Sequence, residues 1–229
     1  ISPSFIMKSK ADAVSQAKTD FLSRMSHEIR TPMNAISGMT IIAKSVLDDR
    51  EKALDCLEKI ESANTYLLGL INDILDMSRI ESGKMELSYE SIDLEQQLSN
   101  LESLFRAQAE EKHLELTFEN DYRNKRPLRA DSLRLNQILV NIIGNAIKFT
   151  ELGSVAVRVR VLEEEPRALI RFSVTDTGIG IEPAAMRRIF NAFEQADALT
   201  ASRHGGTGLG LSISSRLVQM MGGILEVRS

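Results

Sequence analysis

The chain has 229 residues, 43% of them apolar, enough for one large or two modest domains. Its 28 Lys and Arg stand against 32 Asp and Glu, a net charge of -4 with both signs interspersed, so nothing favours a nucleic-acid or polyanion-binding surface. The single cysteine, Cys56, excludes an intrachain disulfide and a thiolate metal cluster, and His27, His113 and His204 lie too far apart to show ligand spacing.

No apolar run reaches the roughly 18 residues that a membrane span needs, so no direct membrane contact is expected in this fragment. The chain begins at Ile1 and reads as a piece of a longer protein, and membrane segments or sensor domains upstream are left open. The fragment is expected to be a cytoplasmic portion, and whether the parent chain is anchored in the inner or plasma membrane is left open.

Residues 1–20 are mixed polar and alanine-rich and read as a helix. They lead into FLSRMSHEIRTPMNAI at 21–36, where Phe21, Met25, Ile29, Met33 and Ile36 form one helical stripe that predicts a helix to about residue 46. His27 sits off that stripe, beside Glu28, and Thr31 lies one turn further on. Pro32 lacks an N–H and crowds the carbonyl of Glu28, so a kink or a loosened turn is expected there. Leu47-Asp48-Asp49-Arg50 is a polar break. A second helix is predicted over about 51–80, with Ile60, Asn64, Leu67, Ile71, Ile74 and Ser78 as a heptad-like stripe, stopped by Ser82-Gly83-Lys84. A long hairpin with apolar stripes on both arms leaves surface uncovered. Two copies would cover it as a four-helix bundle, so a homodimer through residues 1–80 is expected. The alternative is that the hairpin packs on the second half of its own chain.

That second half changes character. Residues 85–94 alternate like an edge strand, and 94–111 read as a helix with Leu98, Leu101, Leu104 and Phe105 as its stripe. Residues 114–119 read as a half-buried strand and 127–130 as a connector. Asp131 or Ser132 caps a helix carrying Leu135, Ile138, Leu139, Ile142, Ile143 and Ala146. Strands at 154–162 and 168–175 flank the charged hairpin Glu163-Glu164-Glu165-Pro166. A glycine-rich turn, a short helix from about 182, a small-residue loop and a last helix over about 208–221 follow. Strands in adjacent pairs between helices predict a two-layer α/β sandwich and argue against a doubly wound fold. The expected domains are 1–83 and 84–229.

Three clusters here can carry chemistry. Asn141, Asn145 and Lys148 share one helix face, offering amide oxygens for a hard cation and a point charge for phosphate. Asp176-Thr177-Gly178-Ile179-Gly180-Ile181 follows an apolar strand, where a carboxylate can accept from an exocyclic amine and Gly178 and Gly180 allow close approach to a flat ring. Gly205-Gly206-Thr207-Gly208-Leu209-Gly210-Leu211 opens a helix whose free N–H groups suit phosphate. It matches neither the Walker nor the Rossmann pattern. Between the last two, residues 189–204, with Phe190 and Phe193, read as a lid.

The chain resembles the catalytic core of a sensor histidine kinase, of the kind found in hybrid sensor kinases. SHEIRTPMNAI at 26–36 resembles that family's phosphoacceptor box, and NQILVNIIGNAIKFT at 136–150 its Asn box. DTGIGI at 176–181 resembles the first glycine box, IFNAFEQAD at 189–197 the Phe box, and GGTGLGLS at 205–212 the second glycine box. The resemblance spans about residues 15–225, with the five motifs in family order.

The resemblance implies an ATP-dependent protein-histidine kinase of a two-component system. His27 would be the nucleophile whose Nε2 takes the γ-phosphoryl of ATP, with Glu28 orienting the imidazole or accepting its proton. Thr31, with Glu28, would position water in members that also dephosphorylate their partner. Asn145 would be the principal Mg²⁺ ligand, with Asn141 and Lys148 on the phosphates or behind the metal. Asp176 would read the adenine amine, with Gly178 and Gly180 beside the base. Phe193 and Arg203 would belong to the lid, Arg203 neutralising charge during transfer. Gly206, Thr207, Gly208, Leu209 and Gly210 would serve the phosphates and the lid. The ATP-binding half would share the fold of Hsp90, type II topoisomerases and MutL-type ATPases. A response regulator receiver domain is the implied partner. A phosphatase-biased or inactive regulatory dimer is the alternative. Two departures stand out: the family continues past 222–229 with another strand, which this fragment is expected to lack, and His204 stands where an aromatic is common.

Overall fold

The computed structural model describes residues 3–122, 128–163, 168–186, 188–191 and 208–229, with side chains described from residue 22 onward. It divides into two compact units, Ile1–Ser78 and Arg79–Ser229.

The first unit is built from two long helices, α1 (Pro3–Ser45) and α2 (Arg50–Glu81). Asp49 starts α2 by accepting the backbone N–H of Lys52 on its carboxylate at 3.2 Å, the usual way a helix start satisfies an unpaired donor. The helices meet along a seam. On α2 that seam holds Ala53, Cys56, Ile60, Ala63, Leu67, Leu70, Ile74 and Met77, of which Cys56, Leu70 and Met77 are fully buried. The 3-4 alternation keeps one stripe of each helix on its neighbour. This corrects the sequence reading: Ile60, Leu67 and Ile74 face inward, but Asn64, Ile71 and Ser78 lie outside. α1 runs unbroken through Pro32, which is itself buried in the seam. The missing N–H of Pro32 still leaves the Glu28 carbonyl without its helical donor. Gly83 ends α2 at φ 65°, with Gly83 N–H donating to Ile80 and Lys84 N–H to Arg79.

The second unit has a two-stranded and a three-stranded sheet backed by helices. β1 (Glu90–Ile92) pairs antiparallel with β3 (Leu128–Ala130). The edge strand expected over 85–94 is therefore three residues long, and the segment read as a connector is partly its partner. In the larger sheet β2 (Glu115–Asn120) lies parallel to β4 (Ser154–Glu163), which pairs antiparallel with β5 (Leu169–Asp176). The sheet is thus mixed, and it forms one layer of the expected two-layer sandwich. Central β4 alternates cleanly. Val155, Val157 and Val159 are buried, each stabilising by about 1.5–3 kcal/mol relative to exposure, while Arg158 and Arg160 on the other face pair with Glu119 and Asp121.

Helices α3 (Leu94–Glu111) and α4 (Ser132–Phe149) cover the valine face, and α6 (Gly210–Met220) packs on α4. Asp93 and Asp131 cap α3 and α4 through their carboxylates. Leu98, Leu101 and Phe105 of α3 are buried as expected, but Leu104 is exposed, because Leu94 and Ala109 complete the stripe instead. The short helix α5 (Pro183–Met186) lies near the predicted start. The expected hairpin tip at 164–166 and most of the small-residue loop lie outside the described residues.

Candidate functional site

Two constellations emerge, one in each unit. In the hairpin, α1 presents His27 to solvent, with its side chain 76% exposed. Its Nδ1 lies 3.8 Å from Oε1 of Glu28. Glu28 is less free: its Oε2 accepts a hydrogen bond from the phenol of Tyr66 on α2 at 3.2 Å. Burial, then the charge of Glu28 and this hydrogen bond, push the Tyr66 phenol up to about 12. Thr31 donates from Oγ1 to the His27 carbonyl at 3.3 Å, so its hydroxyl stays on the His27 side of the helix. Tyr66 escaped sequence reading, because nothing in its neighbourhood points to a residue 38 positions away.

In the second unit the predicted residues gather around α4. Asn141 donates from Nδ2 to the Ser214 hydroxyl at 3.0 Å and accepts from Asn145 Nδ2 at 3.4 Å. The relay leaves the Asn145 amide oxygen outside this chain of donors and acceptors. Gly210 opens α6 against Asn141. A Cβ there would lie 2.2 Å from Asn141 Oδ1, so only glycine lets α6 approach this closely.

Lys148 is half-buried one turn further along α4, with its ammonium 4.9 Å from the Phe149 ring centroid. Burial and then the charge of Lys112 push its pKa down from the ordinary lysine value. Lys112 itself donates to the carbonyls of Ile147 and Lys148 at 2.9 and 3.0 Å, placing positive charge at the C-terminal end of α4.

At the end of β5, Oδ1 of Asp176 accepts the Gly178 N–H at 2.9 Å. A Cβ on Gly178 would come within 2.5 Å of the Phe149 carbonyl, which also accepts the Ile179 N–H at 3.3 Å. The turn is thereby tied to the last residue of α4. Thr177 pins its other side, accepting the Ser154 N–H at 3.0 Å and donating to the Leu152 carbonyl at 3.3 Å. Nothing in the local motif singles Thr177 out as the residue that pins the turn. Gly180 has φ 69°, and the neighbouring Ile181 N–H donates to the Ser229 hydroxyl at 2.7 Å.

Leu209 is fully buried and Gly208 has φ 65°, so at the start of α6 the leucine anchors the helix while the glycine turns the chain. Phe193, Arg203, His204, Gly206 and Thr207 lie outside the described residues. α4 thus brings Asn141, Asn145, Lys148, Asp176, Gly178 and Gly210 around one helix.

Among the described residues no group of three His, Cys, Asp or Glu could hold a metal ion. A neutral amide oxygen fits a cation that is held chiefly by phosphates and water, as Mg²⁺ usually is. The residues therefore fit a nucleotide-borne metal and not a protein cage.

Comparison with known proteins gives two family matches. Residues 17–83 match the His Kinase A (phospho-acceptor) domain, and residues 130–229 match the histidine kinase-, DNA gyrase B- and HSP90-like ATPase. The chain is 42% identical over 228 residues to the non-motile and phage-resistance protein of Caulobacter vibrioides, covering 97% of this chain and 27% of that protein. It is 43% identical over 226 residues to the sensor histidine kinase GacS of Pseudomonas protegens, covering 98% of this chain and 24% of that one. The crystal structure of full-length ShkA in complex with AMPPNP is similar with a TM-score of 0.64 and 37% identity, over 89% of this chain and 41% of that chain. The chain spans about a quarter of the length of these curated relatives.

Proposed function

The chain belongs to the sensor histidine kinases as their catalytic core, and from that premise we propose that it phosphorylates itself on His27 from ATP and passes the phosphoryl group to an aspartate of a response regulator. The observation that carries the reading is His27 itself, a solvent-facing imidazole with a carboxylate at 3.8 Å, in a domain matched as phospho-acceptor.

The chemistry follows from the residues. A neutral imidazole is a usable nucleophile at neutral pH. With its proton on Nδ1, facing Glu28, the lone pair on Nε2 attacks the γ-phosphorus in line. The bond from phosphorus to the bridging oxygen breaks and ADP leaves. The Nδ1 proton of the resulting phospho-imidazolium passes to Glu28 or to solvent. As a receiver carboxylate attacks, Nδ1 takes a proton back from Glu28 or solvent, the phosphorus–nitrogen bond breaks, and the Nδ1–H imidazole is regenerated.

Asp176 accepts the adenine amine, and Gly178 lets the base lie close to the backbone. Asn145 holds the metal that accompanies the phosphates, Asn141 orients Asn145, and Lys148 offers its charge to the phosphates. Bound Mg²⁺ supplies charge neutralisation on the phosphate oxygens. Phe193, Arg203, Gly206 and Thr207 keep the lid and phosphate roles implied by the motifs.

Residues 1–83 act as the dimerisation and phosphotransfer domain and 84–229 as the ATP-binding domain. The exposed apolar stripe of α2 supports a homodimer. No helix among the described residues is long and apolar enough to cross a membrane. The working environment is the cytoplasmic side, with an upstream sensor domain setting activity and no nucleic-acid partner. Exposed Thr31, one turn from His27, also supports a second activity, in which Thr31 and Glu28 position water to dephosphorylate the receiver.

The test is incubation of the purified chain with γ-labelled ATP and Mg²⁺, with His27→Gln alongside. Acid-labile, alkali-stable label that is absent from the variant is expected. Nucleotide binding without label, or label retained by the variant, would overturn the assignment.

A further inference from the structure

The Tyr66–Glu28 contact has no part in the chemistry so far. The two oxygens of Glu28 divide between two partners: Oε2 takes the Tyr66 phenol at 3.2 Å, and Oε1 faces Nδ1 of His27 at 3.8 Å. A glutamate on a helix surface has three side-chain rotors and ordinarily samples water. Here the side chain is 36% exposed, against 76% for His27. The restraint comes from the opposite helix, through a half-buried ring that cannot follow the carboxylate into solvent.

A neutral imidazole carries its proton on one nitrogen, and the neighbouring acceptor decides which one. We propose that Tyr66 is a positioning residue for His27: by holding Oε2 of Glu28, it keeps Oε1 beside Nδ1, selects the Nδ1–H tautomer and leaves the lone pair on Nε2. Closing the present gap by about 1 Å brings Nδ1 and Oε1 to ordinary hydrogen-bond distance. The inference rests on the reading of His27 as the phosphoacceptor. It adds that the reactive tautomer is set from α2, so the register of the hairpin enters the chemistry.

Tyr66→Phe removes one oxygen and keeps the ring, which separates the hydrogen bond from packing. Two measurements on the whole chain decide the matter. The first needs no nucleotide: nitrogen-15 correlation spectra of the neutral His27 ring report the tautomer. The wild type is expected to show mainly Nδ1–H, and Tyr66→Phe a shift toward Nε2–H. The second is the initial rate of His27 labelling, expected to fall about five-fold in Tyr66→Phe with KM for ATP unchanged. That loss is expected to vanish in a Glu28→Ala background, since Tyr66 acts through Glu28. An unchanged tautomer in Tyr66→Phe, or a rate loss that persists without Glu28, overturns the proposal. If His27 is never labelled in the wild-type chain, the phosphoacceptor reading fails by itself, and the spectra still decide whether Tyr66 sets the tautomer.

Discussion

Asn141 and Ser214, 73 residues apart, are joined by a hydrogen bond of 3.0 Å from amide to hydroxyl, and that bond fixes which way the Asn141 amide faces. With Nδ2 committed to Ser214, Oδ1 is left for Asn145, whose Nδ2 reaches it at 3.4 Å. The orientation of the proposed metal-ligating oxygen is therefore determined from α6 through two neutral amides. No charge is buried to do it, which avoids the desolvation cost that an ionic relay would carry.

Gly210→Ala tests how closely this relay depends on helix spacing. The added methyl would fall 2.2 Å from Asn141 Oδ1, so either α6 retreats or the amide turns. Overpacking of this kind costs about 1–3 kcal/mol. Chemical denaturation should show that loss, and titration with a non-hydrolysable ATP analogue and Mg²⁺ should show a larger fall in affinity than Ser214→Ala gives. A Gly210→Ala chain with wild-type stability and affinity would mean that the interface has slack.

Asp176→Asn separates the turn from recognition. The asparagine keeps an oxygen for the Gly178 N–H, now accepted at 2.9 Å by Oδ1 of Asp176, so the turn survives. The second oxygen becomes an NH₂ group that would face a donor, the adenine amine. Affinity for ATP should fall about 10- to 100-fold, while the melting temperature changes little. Equal affinity for ATP and GTP in the wild type would count against Asp176 as the reader of the base.

The elements were legible where local chemistry sets them. The α3 span and the α4 start at Asp131 follow from caps and a single apolar stripe, and both agree with the structure. The expected α2 stripe is out of phase with the buried seam because that helix has two apolar faces. Ile60, Leu67 and Ile74 pack within the hairpin, whereas Ile71 is 39% exposed, and periodicity alone does not say which face meets α1. Three-residue strands such as β1 and β3 are too short to show alternation. Asn141, Asn145, Asp176 and the glycines are legible as candidates because each lies in a dense local motif. Tyr66, Thr177 and Ser214 are not, since their hydrogen-bond partners are fixed only by tertiary structure.

His113 offers a stabilising substitution. It follows α3 with φ 56°, its N–H donating to Glu110 and that of Leu114 to Ala109. Gly83 closes α2 with the same pair of bonds at φ 65°. A residue with a Cβ pays a steric cost in this left-handed conformation. His113→Gly should raise stability by about 0.5–1 kcal/mol in denaturant unfolding, without changing ATP affinity. A loss of stability would point to a stabilising contact of the imidazole.

Tyr66 also predicts a pH dependence. Its phenol is pushed up to about 12 from an ordinary 10.0. The folded chain therefore holds this proton at pH values where the unfolded chain has released it. The stabilisation is fully present below about pH 10 and is lost as pH rises toward about 12. Because the ring is only half-buried, solvent screening reduces the effect to about 1 kcal/mol. Comparing unfolding of the wild type and Tyr66→Phe at pH 9 and near pH 12 isolates this residue from other titrating groups. The stability difference between the two should narrow with rising pH, and a difference that stays constant would exclude the linkage.

The outward face of α2 makes the proposed dimer testable. Leu54, Leu57, Leu68, Ile71 and Leu75 are 49%, 55%, 54%, 39% and 52% exposed in the single chain. They lie on a second 3-4 seam, displaced from the one that meets α1, and a helix apolar on two faces needs a second neighbour. Leu68→Glu would place an unpaired carboxylate in that neighbour's interface, weakening association by about 100-fold. Light scattering on a sizing column should show a monomer at concentrations where the wild type is a dimer. Leu104→Glu is the matched control, because Leu104 is equally exposed at 52% but lies on α3, outside this seam. If both variants remain dimeric, the α2 seam is not the interface. If only Leu68→Glu dissociates, the hairpin's inner seam folds the chain and its outer seam assembles it.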